Sequence, residues 1–206
     1  MKKLLLIGPE ECFLFFQSVE EELRSRYEVA SVRLAAQIHL EKQLLRFPPD
    51  DYAFLVLCDD RFSNLVRRST ITSLQQMGYQ AISYQAPAAR LGARTQVRES
   101  SIVMGGATLE DGVQVGAYSV IGTSCYVGAL STIGEAVTLH PFSRVGSRVT
   151  IGSRVTIGAG VTISDGTVIG DDCEVSTPGL YHGKMEARTY LHPKLGAPAR
   201  IYRFGV

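Results

Sequence analysis

The side chain best suited to acid–base chemistry in this sequence is His140. An imidazole can accept and return a proton near neutral pH, which is the task of a general base. The residue interrupts a periodic position that is otherwise glycine: Gly116, Gly122, Gly128, Gly134, Gly146, Gly152 and Gly158. We therefore expect the imidazole to project from a notch whose two sides have no side chains. Packing at a contact between subunits, or plain exposure to solvent, would explain the same residue.

An aromatic residue and three arginines follow His140 closely. Phe142 has small residues eighteen positions away on either side, so its ring would also point outward. Arg144, Arg148 and Arg154 form a cluster of guanidinium groups, which suits the phosphates of a ligand. A solvated charged surface would account for the arginines equally well.

These residues lie within a repeat of six residues that is maintained without a break. Every sixth residue from Leu91 to Val175 is Leu, Ile or Val, and nine of the fifteen residues that follow these aliphatics are glycine. So much glycine excludes a helix, whereas short strands joined by turns fit the pattern. With the aliphatic residues pointing inward and three strands per coil, fifteen repeats predict a triangular β-helix of five coils.

The first part of the chain has a different pattern, in which strands and helices alternate. We predict strands at Lys3–Ile7, 27–32, 52–57 and near 81–84, and helices at 11–24, 38–45 and 62–77. This alternation is typical of a small parallel α/β domain. The predicted organisation is an α/β domain at residues 1–86, a β-helix at 87–180 and a C-terminal cap at 181–206.

The α/β domain offers its own candidate ligand-binding residues. Gly8 follows the first strand and precedes a helix, a place where phosphates bind well, although an ordinary turn explains it too. Asp59 and Asp60 follow the third strand, at the edge where parallel sheets bind ligands, or they cap the next helix.

Composition excludes several classes of function. A net charge of +1 from mixed residues does not predict a nucleic-acid partner, and no apolar run is long enough to span a membrane. The four cysteines have no metal-ligand spacing, and with one histidine in the repeats we expect no metal, which argues against a zinc carbonic anhydrase of similar shape. We predict a cytoplasmic location.

The order of these parts resembles a known family. A small α/β domain, a hexapeptide-repeat solenoid and the closing Gly196-Ala197-Pro198-Ala199-Arg200 look like the sugar acetyltransferases that modify sialic acids or amino-sugar nucleotides. The resemblance implies a Rossmann-like domain, a left-handed parallel β-helix, and a homotrimer that binds acetyl-CoA between prisms. It also implies a sugar nucleotide bound between the N-terminal domain and the β-helix.

The chain departs from this family at two places. The glycine-rich opening with a histidine is replaced by Gly8-Pro9-Glu10, and counting repeats puts Ala129 and Leu130 where the family has a catalytic histidine and acid. Neither of these side chains can move a proton. Three explanations stay open: the count is off because a coil was gained or lost, the catalytic site has moved, or the activity is lost.

The sequence therefore predicts an acyl-CoA-dependent acyltransferase, with acetyl as the expected group, that acts on a sugar or amino-sugar nucleotide in bacterial surface-glycan synthesis. His140 is the expected base, and Gly8, Asp59, Asp60 and Phe142 are the expected substrate-binding residues. The residues expected to bind acetyl-CoA are Arg144, Gly146, Arg148, Arg154 and Gly158. The alternative is an inactive trimeric relative that binds or scaffolds.

Overall fold

The computed structural model describes residues 3–34, 40–57, 64–192, 195 and 198–200. The chain builds a small α/β domain and then a long β-solenoid. The predicted Asp59 and Asp60, like Gly196 and Ala197, lie outside the described residues. Among the described helices, none is both long and apolar enough to cross a membrane.

The α/β domain contains one parallel sheet with helices beside it. Its strands and helices are β1 (Lys3–Gly8), α1 (Glu10–Phe15), α2 (Gln17–Arg24), β2 (Glu28–Arg33), α3 (Leu40–Leu44), β3 (Tyr52–Val56), α4 (Leu65–Gln76) and β4 (Gln80–Ala81). The strand order is β2-β1-β3-β4, and the run Leu4–Ile7 in the central strand is fully buried. Such an apolar run is what a parallel strand covered on both faces requires.

Two of the predicted elements differ in detail. The first predicted helix is two helices, because Phe16 leaves the helical conformation (φ −108°, ψ 19°). The strand predicted near residues 81–84 is divided between the two parts of the chain. Gln80–Ala81 closes the N-terminal sheet, whereas Tyr84–Gln85 pairs with Ile102–Val103 and starts the solenoid.

The solenoid is built from short strands. In chain order they are β5 (Tyr84–Gln85), β6 (Arg90–Leu91), β7 (Gln96–Val97), β8 (Ile102–Val103), β9 (Thr108–Leu109), β10 (Gln114–Val115), β11 (Val120–Ile121), β12 (Tyr126–Val127), β13 (Thr132–Ile133), β14 (Thr138–Leu139), β15 (Arg144–Val145), β16 (Thr150–Ile151), β17 (Thr156–Ile157), β18 (Thr162–Ile163), β19 (Val168–Ile169), β20 (Glu174–Val175), β21 (Leu180–Tyr181), β22 (Lys184–Met185), β23 (Thr189–Leu191) and β24 (Ala199–Arg200).

These strands form three parallel faces of a prism. Face 1 runs from β5 through every third strand to β23, with β24 added antiparallel; face 2 runs from β6 to β21, and face 3 from β7 to β22. The register advances by 18 residues per coil, as in Thr138↔Thr156 on face 1. The predicted stacking of residue n on n+18 is thereby confirmed.

The prism has six turns, and the prediction of five was too low. The first turn begins at Tyr84–Gln85, where the sequence has no aliphatic residue to signal it. In the last turn Val168 pairs with Lys184, which is 16 residues on rather than 18. This shortening moves the strand out of the six-residue pattern, so the sequence periodicity ends before the solenoid does.

The inward positions form one continuous apolar core along the prism axis. Other inward positions hold buried serines, whose hydroxyl groups form hydrogen bonds inside the stack. Ser119 Oγ donates to the carbonyl of Gly134 (3.0 Å) and accepts from the N–H of Val137 (3.1 Å). Ser131 repeats the arrangement with Gly146 at 2.8 Å. Buried hydroxyls of this kind cost little, because each has partners in the next coil.

The α/β domain packs against face 1 through polar and apolar contacts. Arg67 is 1% exposed and donates to the Tyr118 carbonyl (3.0 Å) and the Thr138 hydroxyl (2.9 Å). Asn64 donates to the hydroxyl of Thr156 (3.2 Å) and accepts from that of Thr138 (2.7 Å). An apolar cluster joins the same surfaces; among its members are Phe13, Phe16, Leu57, Ile102, Met104 and Val120.

This packing sets the direction in which the N-terminal sheet faces. Helix α4 begins beside Thr156 and reaches Tyr118 near its end, where the Tyr118 hydroxyl bonds Gln75 at 3.4 Å. Asn64 follows the carboxyl end of β3. The carboxyl edge of the sheet, where ligands bind in such folds, therefore faces the C-terminal coils of the solenoid.

Candidate active site

His140 lies at the corner between faces 1 and 2, immediately after β14. Its backbone N–H donates to the Ile157 carbonyl (2.8 Å) and its carbonyl accepts from Cys125 Sγ (3.0 Å). These bonds fix the turn, and the imidazole is half-buried on the outer surface. The residue is thus held by the backbone of the stack rather than by a mobile loop.

Glycines occupy the corner on both sides of His140 because the coils approach closely there. A Cβ at Gly122 would lie 2.6 Å from the Leu139 carbonyl oxygen, and one at Gly158 would lie 2.9 Å from Ser176 Cα. Neither position can hold a side chain without moving backbone. The notch expected from the sequence therefore has a physical cause, which is close packing of adjacent turns.

Phe142 stands at the same corner as His140. It adopts a left-handed conformation (φ +63°) and its side chain is 65% exposed. One coil further, no atom lies within 4 Å of the position that a Cβ on Gly160 would take. An aromatic residue in this conformation is uncommon, and here it leaves an exposed ring beside an empty corner position.

The three arginines lie in different environments. Arg144 on face 2 places its guanidinium 5.0 Å from the centre of the Tyr126 ring, and Arg148 is exposed at the corner between faces 2 and 3. Arg154, at the corner between faces 3 and 1, is bound by Asp172 through Nε (2.7 Å) and Nη2 (3.0 Å). Arg154 therefore links two adjacent coils, and the Asp172 carboxylate neutralises its charge.

Gly146, between these arginines, is closed by the following coil. The carboxylate of Asp165 contacts the space that a Cβ of Gly146 would take, and it accepts the Ser147 N–H at 2.9 Å. An anionic ligand would meet this carboxylate. Gly158 and the exposed Arg144 and Arg148 offer a better approach for phosphate.

At the edge of the α/β domain, Gly8 ends β1 and is buried. A Cβ there would lie 3.1 Å from Leu57 Cβ, so close packing of β1 on β3 explains the glycine. The same edge carries Arg33, which pairs with Glu10 at 2.5 Å and lies over the Phe13 ring at 4.6 Å. Sequence analysis did not single out Arg33, which supplies a cation at this edge.

Ala129 and Leu130 occupy the corner between faces 2 and 3. The Ala129 N–H donates to Glu110 Oε2 (3.2 Å), and the Leu130 side chain is 58% exposed. A hydrogen bond to Glu110 raises the pKa of the neighbouring Tyr126. This corner thus has a carboxylate nearby, but its own two side chains carry no ionisable group.

Sequence analysis missed a polar group that lies two coils from His140 towards the C-terminus, on face 1 and at the corner between faces 1 and 2. Ser176 Oγ donates to Glu174 Oε1 at 2.6 Å. Burial and the Glu174 carboxylate raise the pKa of Tyr190. The Tyr190 ring in turn stacks on His192, with centroids 5.6 Å apart. The shortened last turn brings Tyr190 opposite Glu174, so the six-residue spacing gave no sign of it.

Within the described part of the chain, no three His, Cys, Asp or Glu side chains form a group that could hold a metal ion. The three described cysteines, Cys12, Cys125 and Cys173, are buried thiols. Burial raises the pKa of Cys125 and of Cys173, so both are held as neutral thiols in the core.

Comparison with known proteins agrees with this architecture. The family model described as bacterial transferase hexapeptide (six repeats) matches residues 130–165. The solenoid is a hexapeptide-repeat, left-handed parallel β-helix. No curated protein sequence matches the chain.

Several solved structures share the fold over nearly the whole chain. PerB from Caulobacter crescentus, in complex with CoA and GDP-perosamine, has a TM-score of 0.79 at 20% identity, with 91% of this chain and 92% of that one covered. The acetyltransferase domain of PglB from Neisseria gonorrhoeae, with acetyl coenzyme A, gives 0.69 at 17%, covering 92% and 95%. WeeI from Acinetobacter baumannii gives 0.69 at 16%, covering 91% and 95%. At these identities the likeness shows the fold, and it supports the resemblance stated from the sequence.

Proposed function

We propose that this protein transfers an acetyl group from acetyl-CoA to a sugar nucleotide in the synthesis of a bacterial surface glycan. The observation that carries the proposal is that both parts of the chain, the α/β domain and the solenoid, match together. The Caulobacter crescentus protein that shares this arrangement was crystallised with CoA and a nucleotide-linked amino sugar. A bare hexapeptide solenoid would not favour a sugar nucleotide over other acceptors.

His140 is the proposed general base. The acceptor nitrogen or oxygen attacks the thioester carbonyl carbon and forms a new bond to it, while its proton passes to the imidazole. The tetrahedral intermediate then breaks its carbon–sulfur bond, and the departing sulfur takes the proton from the imidazolium to give CoA. The imidazole returns to its starting state, so the base acts catalytically.

The groups proposed for acetyl-CoA are Arg144, Arg148 and the corner at Gly158. The two exposed guanidinium groups suit the CoA phosphates, and Gly158 lets a ligand approach the backbone beside His140. Arg154 is better assigned to the stability of the solenoid, because Asp172 already binds it. Gly146 is similarly disfavoured by the Asp165 carboxylate.

The acceptor is proposed to bind under the α/β domain. The carboxyl edge of the N-terminal sheet, with Gly8 and Arg33, faces the coils that carry His140 and Phe142. Arg33 would contact the nucleotide phosphates after release from Glu10, and Phe142 would pack against the sugar. Asp59 and Asp60, which follow β3 in the sequence, remain proposed substrate ligands.

We further propose a homotrimer that works in the cytoplasm. Three large apolar side chains on the solenoid, Leu130, Phe142 and Leu180, are 58–66% exposed in the single chain. Contacts between prisms would cover such residues. In this arrangement the CoA groove lies between neighbouring subunits.

The test is a thiol-release assay with acetyl-CoA and a set of GDP- and UDP-linked amino sugars. The proposal predicts release of CoA that depends on the acceptor. A second candidate, a non-catalytic binding protein, is favoured by Ala129 and Leu130 at the corner where relatives would carry ionisable groups. Binding of a sugar nucleotide without thiol release from acetyl-CoA would support that candidate.

A further inference from the structure

The corner that carries His140 continues as a column of residues towards the end of the solenoid. The pairings Leu139↔Ile157, Ile157↔Val175 and Val175↔Leu191 define this column. Each of these four paired residues is followed in the chain by a corner residue. The corner residues are therefore stacked in the order His140, Gly158, Ser176 and His192. Successive rungs of a parallel sheet are about 4.8 Å apart, so His140 and Ser176 are separated by about 10 Å.

Gly158 makes this separation a slot. Its Cβ position is blocked by Ser176 Cα at 2.9 Å, so the floor between His140 and Ser176 is backbone alone. A gap of two rungs is wide enough for one planar or ring-shaped group between two side chains. His140 forms one wall, and the other wall is the group of Ser176, Glu174 and Tyr190.

Glu174 is the charged member of the second wall. Ser176 Oγ holds its Oε1 at 2.6 Å, and Tyr190 pairs with Glu174 on the next rung, where burial and this carboxylate raise the pKa of Tyr190. The side chain is half-buried, and no lysine or arginine among the described residues forms an ion pair with it. The neutral Ser176 hydroxyl thus holds the carboxylate in place, while its charge is left for a ligand to match.

The position of Glu174 joins the slot to the α/β domain. On face 1 the outward residues run Thr138, Thr156 and Glu174, one rung apart. Asn64 of the α/β domain contacts the first two of these through hydrogen bonds. Glu174 lies on the next rung after Thr156. One end of a ligand bound under the edge of the α/β domain would therefore reach the slot.

We infer that Glu174 binds the ammonium group of an amino-sugar acceptor in this slot, opposite His140, and so directs acetylation to nitrogen rather than oxygen. This inference rests on the proposed function. A charge-assisted hydrogen bond to the ammonium matches the fixed carboxylate, whereas a hydroxyl would leave the charge without a counterpart. The ammonium first releases one proton to solvent, and the neutral amine then attacks the thioester while the imidazole across the slot takes its second proton and passes it to the departing sulfur.

The first experiment measures binding, so that it does not depend on turnover. Calorimetry with GDP- and UDP-linked amino sugars, and with matched nucleotides that carry a hydroxyl in place of the amine, compares wild type with Glu174→Gln. We expect the variant to bind the amino forms about tenfold or more weakly and the hydroxyl forms unchanged. Equal weakening of both forms, no weakening, or no preference of wild type for the amine would overturn the inference.

Two further variants distinguish a local role from a general defect. Glu135→Gln removes an exposed carboxylate from another corner and should change neither affinity nor melting temperature. Ser176→Ala keeps the carboxylate but loses the hydroxyl that donates to it, and should weaken binding of the amino forms less than Glu174→Gln does. Amine-selective binding without thiol release would uphold this inference and refute the acetyl-transfer step of the proposed function.

Discussion

The guanidinium of Arg67 donates to the hydroxyl of Thr138 at 2.9 Å, deep between the α/β domain and the solenoid. The same side chain donates to the carbonyls of Tyr118 and Val137. An arginine buried to this extent is held by specific acceptors from the turns of the prism. The two parts of the chain are therefore packed in one defined orientation, which turns the carboxyl edge of the sheet towards the C-terminal coils of the solenoid.

Replacing Arg67 should loosen this arrangement. Arg67→Leu leaves two carbonyls and a hydroxyl without their donor, and we expect a loss of about 3 kcal/mol. The melting temperature should fall by roughly 6–12 °C at fixed protein concentration. Arg68→Leu on the same helix, which lacks these contacts, should shift it by less than about 2 °C. Equal shifts for both variants would contradict the assigned role.

The direction of side chains along each solenoid strand can be tested with two adjacent residues. Ile151 is 1% exposed in the axial core, whereas Thr150, on the same strand, is exposed. Ile151→Asp would bury a carboxylate without a partner and should abolish soluble protein. Thr150→Asp should express normally and melt within a few degrees of wild type. The reverse pattern would mean that the register is wrong by one residue.

The need for glycine at the notch predicts a contrast between two Gly→Ala variants. A Cβ at Gly122 would be 2.6 Å from the Leu139 carbonyl oxygen, while Gly105 has no atom within 4 Å of that position. Gly122→Ala should destabilise by about 1–3 kcal/mol, and Gly105→Ala should be nearly neutral. Thermal unfolding of the pair measures the difference, and a neutral Gly122→Ala would remove close coil packing as the cause of the notch.

The exposed apolar residues predict self-association. Phe142 and Leu180, which are 65% and 66% exposed, would be covered in a trimer of prisms. Light scattering at micromolar concentration should give three times the chain mass of 22.5 kDa. A mass of one chain would refute the trimer and, with it, a CoA groove between subunits.

Much of the solenoid was predictable because its physical cause is local and repeated. Each coil needs an inward aliphatic residue such as Ile151, and a tight corner such as Gly122, so the pattern recurs in the sequence. The first strand of the solenoid was missed because Gln85 stands where the repeat would have an aliphatic residue. The last turn was missed because it is two residues shorter, which ends the sequence period.

The side-chain groups were predictable only where they follow the coil spacing. Arg154 and Asp172 are 18 residues apart, so their ion pair was present in the spacing. Tyr190 meets Glu174 across the shortened turn, and no fixed spacing relates these two residues. The burial of Arg67 depends on how one domain packs on another, which a periodic pattern does not contain.

The most direct test of the central claim, acetyl transfer with His140 as base, is a thiol-release assay on His140→Ala. With acetyl-CoA and an amino-sugar nucleotide that wild type turns over, the variant should lose a hundred- to ten-thousand-fold in rate, the typical contribution of a general base. Calorimetry should show unchanged affinity for acetyl-CoA, because Arg144 and Arg148 remain. His182→Ala, which removes an exposed histidine between β21 and β22, should keep full activity. Full activity in His140→Ala, or no thiol release by wild type with any of the amino-sugar nucleotides, would contradict the account.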